Sequence, residues 1–183
     1  GGNHEEDTTK RTGASAAWSP DSKHFAITRS DMRKVKELWV IDVLANPRPK
    51  LEGYKYQMPG EPGPKAYLYL FDWDSKSAKT INIDAFKDQS VSLERAPMTV
   101  KERYEKYVPM KWLGDNSKFY FTRQSRDQKR VDLCSVDVAT GECKVVLHEE
   151  LNTYVETRDF EFFNNGTELI HWSERDGWAH LYL

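Results

Sequence analysis

No excess of either charge marks this chain: 27 Lys and Arg against 29 Asp and Glu leave a formal charge of -2. There is no basic stripe to neutralise a phosphate backbone, and so no electrostatic case for nucleic acid. Long apolar runs are missing as well. Tyr67–Phe71 falls far short of the roughly 20 residues a membrane helix needs, and no signal peptide opens the sequence. The five histidines, at positions 4, 24, 148, 171 and 180, form no His-Glu-x-x-His, and the two cysteines do not stand at zinc-finger distance, so neither a metal nor a cofactor is expected. A nucleophile elbow is lacking too. The nearest approach to Gly-x-Ser-x-Gly, Gly13-Ala14-Ser15-Ala16-Ala17, has no second Gly and precedes a predicted strand, and no catalytic residue is assigned.

What is present points to β structure. A chain of 183 residues can bury roughly 70% of its unfolded surface around one core. Aromatics make up 13%, with six Trp and nine Tyr, which suits pleated, half-buried surfaces better than helix bundles. Gly1 to Thr12 hold no hydrophobic residue, so residues 1–15 are read as an exposed segment with order beginning near Ala16.

From Trp18 onward the chain repeats. Trp18-Ser19-Pro20-Asp21-Ser22-Lys23-His24-Phe25-Ala26-Ile27-Thr28-Arg29 returns as Trp112-Leu113-Gly114-Asp115-Asn116-Ser117-Lys118-Phe119-Tyr120-Phe121-Thr122-Arg123, and a third copy starts at Phe162 with Asn165, Leu169 and Trp172 in the places of Asp21, Phe25 and Thr28. Each copy leads to a Leu-x-x-apolar-Asp strand: Leu38–Asp42, Leu133–Asp137 and, incompletely, Leu181. A further copy, Leu68–Asp72, runs through a turn to Thr80–Ile83, as Val136-Asp137 runs to Lys144–Leu147. Strand, turn, strand, loop, strand, turn, strand is the grammar of a propeller blade. The expected fold is an all-β, partial β-propeller of about two and a half to four four-stranded antiparallel blades over residues 16–183, with blade-like units near 16–84, 108–148 and 158–183. Trp18 and Trp112 are 94 residues apart, Trp112 and Phe162 50 apart, against a usual period of about 40 to 50. The long interval is read as an insertion in the first blade at Gly53–Pro64, and Thr99–Tyr107 as a short helix. Because Leu183 falls inside a Leu-x-x-apolar-Asp strand and a propeller closes only with several blades, the sequence is expected to be a fragment of a larger protein. Asp21, Asp115 and Asn165 are read as turn residues satisfying backbone N–H groups, and Asn165-Gly166-Thr167 as a hairpin turn rather than a glycosylation acceptor.

These residues resemble a known family. The Trp-Ser-Pro-Asp-Ser-Lys-x-Phe-Ala-Ile run is similar to repeats shared by TolB-like propellers and the prolyl-oligopeptidase clan. Tyr54–Gly60, leading through Pro62-Gly63-Pro64 into Ala66–Asp72, and Trp172-Ser173-Glu174-Arg175-Asp176-Gly177-Trp178-Ala179-His180-Leu181-Tyr182-Leu183 resemble segments of the N-terminal propeller of the dipeptidyl peptidase IV family. That resemblance implies a non-catalytic propeller fragment of a serine exopeptidase that removes Xaa-Pro or Xaa-Ala dipeptides. The catalytic triad belongs to a C-terminal α/β-hydrolase domain that this sequence does not hold. The implied partners are the peptide substrate and that hydrolase domain; separately, the blade edges that a fragment leaves unpaired predict strand-edge association of the isolated chain, as a homodimer or by swapped strands. A periplasmic or secreted location follows, with the signal peptide outside this sequence. In the family a Glu-Glu pair ahead of a Trp-Ser-Pro repeat holds the substrate ammonium; Glu5 and Glu6, 12 residues before Trp18, are the candidates, with a solvated charge cluster as the alternative, and Glu149-Glu150 a weaker choice. Cys134 and Cys143 flank a turn at Val138-Ala139. A two-residue loop there sets them opposite each other, where Cβ separations of about 4.5–5.5 Å approach disulfide range, and the resemblance implies a disulfide in this hairpin; two reduced thiols are the alternative. Two other readings stand beside the first: a TolB-like interaction propeller without hydrolase activity, and a propeller-hydrolase that has lost its activity.

Overall fold

The computed structural model describes residues 14–105 and 108–183; Glu5 and Glu6 lie outside them. Among the described residues, thirteen strands form three successive antiparallel sheets and one separate hairpin. The first sheet has the order β1-β2-β5-β6, built from β1 (Ala16–Trp18), β2 (His24–Asp31), β5 (Lys65–Asp72) and β6 (Ala78–Ile81). The second, β10-β9-β8-β7, comprises β7 (Ser90–Leu93), β8 (Lys118–Gln124), β9 (Arg130–Asp137) and β10 (Cys143–Glu150). The third, β11-β12-β13, comprises β11 (Glu161–Phe163), β12 (Glu168–Ser173) and β13 (His180–Tyr182). This is the all-β, blade-like arrangement read from the repeats.

Repeat positions occupy equivalent places in the sheets. Trp18 lies opposite Phe25 across β1 and β2, and Phe162 opposite Leu169 across β11 and β12, so the third copy keeps the register of the first. Trp18 packs on Phe25 at 4.7 Å between ring centroids, and Trp112 on Phe119 at 4.8 Å. Period-two alternation sorts each strand. Ala17, Ala26, Leu68, Leu70 and Ile81 line one face of the first sheet and meet Phe119, Phe121, Cys134 and Val136 of the second, together with Trp112 just ahead of β8, in one buried cluster. Burying a Phe or Leu side chain in this way contributes about 1.5–3 kcal/mol. β9 is covered on both faces, with Val131, Leu133, Cys134 and Val136 all buried, because the third sheet approaches from the other side, where Phe162 packs on Tyr120 at 4.5 Å.

The connections explain the turns. Asp21 Oδ1 accepts the Lys23 N–H at 3.1 Å and the Ser19 hydroxyl at 2.6 Å, while the Ser19 Oγ takes the His24 N–H at 2.9 Å. Ser125 and Asp127 repeat this pattern between β8 and β9. Asp115 accepts the N–H groups of Ser117 and Lys118 at 2.7 and 2.8 Å. Each aspartate thus satisfies the donors of its own turn through Oδ1, which accounts for its recurrence at this place in the repeat.

Two expectations change. Leu38–Asp42, read as a blade strand, pairs instead with β4 (Lys50–Lys55) as β3 (Glu37–Asp42) in a two-stranded hairpin. β2 takes Leu68–Asp72 as its neighbour. The insertion is therefore larger than Gly53–Pro64: the β3–β4 hairpin and the loop after it both lie between β2 and β5. The choice follows burial, since β5 presents Leu68 and Leu70 to the core whereas β3 and β4 have no buried residue. Among the described residues, Thr99–Tyr107 gives only one 3-10 turn, Glu102–Tyr104, ahead of which the Thr99 hydroxyl donates to the Glu102 carboxylate at 2.8 Å; residues 106 and 107 lie outside the described ones.

Candidate functional site

β7 and β11 are the edge strands with which the second and third sheets begin, and a cavity of about 620 Å³ opens between them. Its wall combines Leu93, Leu113, Phe160 and Phe162 with the carboxylates of Glu94 and Asp159. A second cavity of about 280 Å³ shares Glu94, Asp159 and Phe160 and adds Thr122 and Arg158. Glu94 is placed by the end of β7: its N–H donates to the Tyr120 carbonyl and its own carbonyl accepts from Leu113. The Thr122 hydroxyl donates to Glu94 Oε1 at 2.8 Å. Burial pushes the Glu94 carboxyl above its ordinary value, the hydroxyl offsets part of that, and the nearby Asp159 charge adds to it. An apolar, aromatic recess with a few convergent polar groups can hold one extended or cationic group.

Two buried ionic clusters stand apart from this cavity. Arg123 and Asp132 face each other across β8 and β9, with the guanidinium Nε 2.7 Å from Asp132 Oδ2 and Nη1 3.0 Å from the Ile83 carbonyl. His148 Nδ1 sits 2.5 Å from Asp132 Oδ1, and this contact holds the imidazole above its usual value despite partial burial. The second cluster joins two sheets. Glu149, at the end of β10, receives the Ser173 hydroxyl at 2.8 Å, His171 Nε2 at 3.1 Å and the Arg175 guanidinium. Burial pushes the Glu149 carboxyl up, but hydrogen bonds from Ser173, Arg175 and His171 outweigh it and hold it low. The Arg175 guanidinium also covers the Tyr182 ring, 4.5 Å from its centroid. Glu149 is thus engaged within the fold, and Glu150 reaches His148 at 3.5 Å, so this pair does not present two free carboxylates to a substrate amine.

The hairpin with both cysteines has a different register from the one expected. Asp137 Oδ1 accepts the Thr140 N–H and hydroxyl at 2.7 and 2.8 Å, and the Asp137 N–H closes on the Glu142 carbonyl. The turn is longer than two residues for that reason. Cys143 lies opposite Val136 and Cys134 opposite Val145. Both thiols are free in the structure. Their mutual hydrogen bond raises Cys134, aided by burial, and lowers Cys143.

Sequence reading did not single out Glu94, Asp159 or the Arg123–Asp132 pair. Arg123 and Asp132 were legible only through register, since they continue the same face as Phe119–Val136 and Phe121–Cys134. No signal in the sequence brings Glu94 to Asp159, because they meet only where two sheets adjoin. Among the described residues no group of three or more His, Cys, Asp or Glu is arranged to hold a metal ion.

A family model for the dipeptidyl peptidase IV (DPP IV) N-terminal region matches residues 5–183. Among solved structures, the chain is similar to the dipeptidyl peptidase 4 of Porphyromonas gingivalis, with TM-score 0.69 and 23% identity over 97% of this chain and 23% of that one. It is also similar to a Bacteroides ovatus protein assigned as a dipeptidyl aminopeptidase IV, with TM-score 0.67 and 23% identity over 91% of this chain and 22% of that one. The chain therefore spans less than a quarter of the length of either protein. With the repeats in register and the match running almost from end to end, this chain belongs to the dipeptidyl peptidase IV N-terminal region family.

Proposed function

We propose that this chain is the non-catalytic propeller portion of a serine exopeptidase that removes Xaa-Pro or Xaa-Ala dipeptides from peptide amino termini. The observation that carries the reading is the family match over residues 5–183. In this role the sheets wall off the approach to a hydrolase domain elsewhere in the protein, admit peptides in extended form and hold the substrate amine, with Glu5 and Glu6 as the acidic pair. The protein acts outside the cytoplasm, in the periplasm or as a secreted enzyme, and there Cys134 and Cys143 oxidise to a disulfide; their places on one face of the neighbouring strands β9 and β10 support this pairing. Non-reducing peptide mapping of protein isolated from its natural compartment is expected to recover the linked pair, and two free thiols there would count against both the bridge and the location.

The proposed homodimer draws on the β3–β4 hairpin. Trp39, Ile41 and Leu51 share one of its faces and are 61%, 64% and 60% exposed. An apolar patch on a two-stranded extension marks an association surface. Sedimentation of the full-length protein is expected to give a dimer, and I41D to give a monomer; a concentration-independent monomer in the unsubstituted protein would overturn the proposal.

The decisive experiment is dipeptide release from a Xaa-Pro chromogenic peptide by the full-length protein, with this chain alone as the control. Release by the full-length protein, its absence with the fragment, and its abolition when the substrate amine is acetylated are the expected results. A folded full-length protein that releases nothing would remove the exopeptidase reading.

A further inference from the structure

The cavity between β7 and β11 holds an electrostatic imbalance. Glu94, Asp159 and Glu161 line it, against the single guanidinium of Arg95. Among the described residues none of these three carboxylates takes part in a salt bridge; the arginine of the adjoining recess, Arg158, is turned to Glu156 at 2.6 Å and to the Trp172 ring. Glu94 has only the Thr122 hydroxyl as a side-chain partner, 2.8 Å away. A carboxylate kept half-buried beside a second one, without an ion pair among the described residues, costs free energy that a cationic guest recovers. Glu94 is raised by burial and by Asp159, consistent with that cost.

The remaining lining says which cation. The carboxylates do not converge as a metal set, and about 620 Å³ is far more than a bare ion fills. Leu93, Pro97, Leu113, Phe160 and Phe162 offer an apolar wall for an alkyl stem and aromatic faces for a charged head. We infer that this cavity is a subsite for a basic side chain, Lys or Arg, of the peptide substrate, read by Glu94 and Asp159 and separate from recognition of the substrate's amino terminus. The inference rests on the exopeptidase reading for its ligand class.

The test uses the full-length protein and peptides of the form Xaa-Pro followed by alanines, N-methylated at the scissile bond so that binding is read without turnover. One Lys is moved through the third to sixth positions and compared with norleucine, its uncharged near-isostere, by fluorescence anisotropy. At one position Lys is expected to bind about tenfold more tightly, as for one partly desolvated ion pair, with the advantage shrinking at high salt and vanishing in E94Q/D159N. Equal affinity of Lys and norleucine at every position, or an advantage unchanged in the double variant, would overturn the inference. Should the double variant fail to fold, the unsubstituted protein decides. The Lys advantage should fall as pH is lowered through the raised Glu94 value, because Glu94 loses its charge there, with Asp159, Glu161 and Arg95 the other charged groups facing it; an advantage that stays constant through that fall would refute it. Failure of the exopeptidase reading looks different: the unmethylated peptides then release no dipeptide, whatever their affinity.

Discussion

At the scale of single residues, polar groups at sheet junctions divide into those that hold the fold and those left for a guest. Glu149 belongs to the first kind. Its lowered carboxyl means that the stability it contributes is fully present above the unfolded value near 4.3 and is lost as pH falls through the folded one. Replacing Glu149 by Ala strands Ser173 and Arg175, and a cost of about 1.5–3 kcal/mol is expected in denaturant unfolding. Glu149→Gln should retain part of that stability while removing the acid limb below pH 4. His148 has the opposite sign. Its raised value makes the Asp132 contact most stabilising below about pH 6.5, with the contribution fading as pH rises through the folded value. Unfolding of His148→Gln between pH 6 and 9 is expected to lose that slope; an unchanged slope would show that another group titrates there. Phe121 is fully buried between the first two sheets, and Phe121→Ala should cost about 3–5 kcal/mol.

At the scale of elements, side chains next to a turn decide register. The Asp137 cap on Thr140 lengthens the β9–β10 turn, so two cysteines that a two-residue loop would set face to face are offset. Asp137→Ala removes the cap and should cost about 1 kcal/mol in thermal or denaturant unfolding. Gly114 is the other such point. It sits at φ 125°, and a Cβ there would lie 2.2 Å from the Lys118 carbonyl oxygen. That close approach closes the loop between Trp112 and β8, and Gly114→Ala is expected to destabilise more than Asp137→Ala. The two Leu-x-x-apolar-Asp strands after Trp18 show how the core chooses between equal patterns. Leu38–Asp42 and Leu68–Asp72 read alike, but only the latter alternates large side chains onto both faces of a sheet, with Tyr67, Tyr69 and Phe71 backing Leu68 and Leu70.

Across the whole molecule the sheets are unequal partners. The first and second share one apolar cluster, whereas the described link from the second to the third is a Tyr120–Phe162 contact and the buried Glu149 network. Native-state hydrogen exchange should therefore be slowest in β8 and β9 and faster in β11–β13, with the exposed β3–β4 hairpin fastest. Uniform protection across all three sheets would contradict this ordering. The open face of the first sheet carries the Trp18–Phe25–Phe71 stack, with Phe25 and Phe71 at 4.8 Å. Its counterpart, Trp112–Phe119, is fully buried, because the first sheet covers it.

The sequence by itself determined the blade repeat, the Asp-centred turns and the family, because these depend on local spacing: period-two alternation, a turn aspartate within three residues of the N–H groups it accepts, and aromatic positions that return at fixed intervals. It did not determine which of two similar strands entered the first sheet, or where Glu94, Asp159 and Glu149 would stand. Those outcomes depend on contacts between residues far apart in the chain, from 22 positions for Glu149 and His171 to 65 for Glu94 and Asp159. Burial and charge at such junctions are created only when two sheets meet, and no local pattern encodes them.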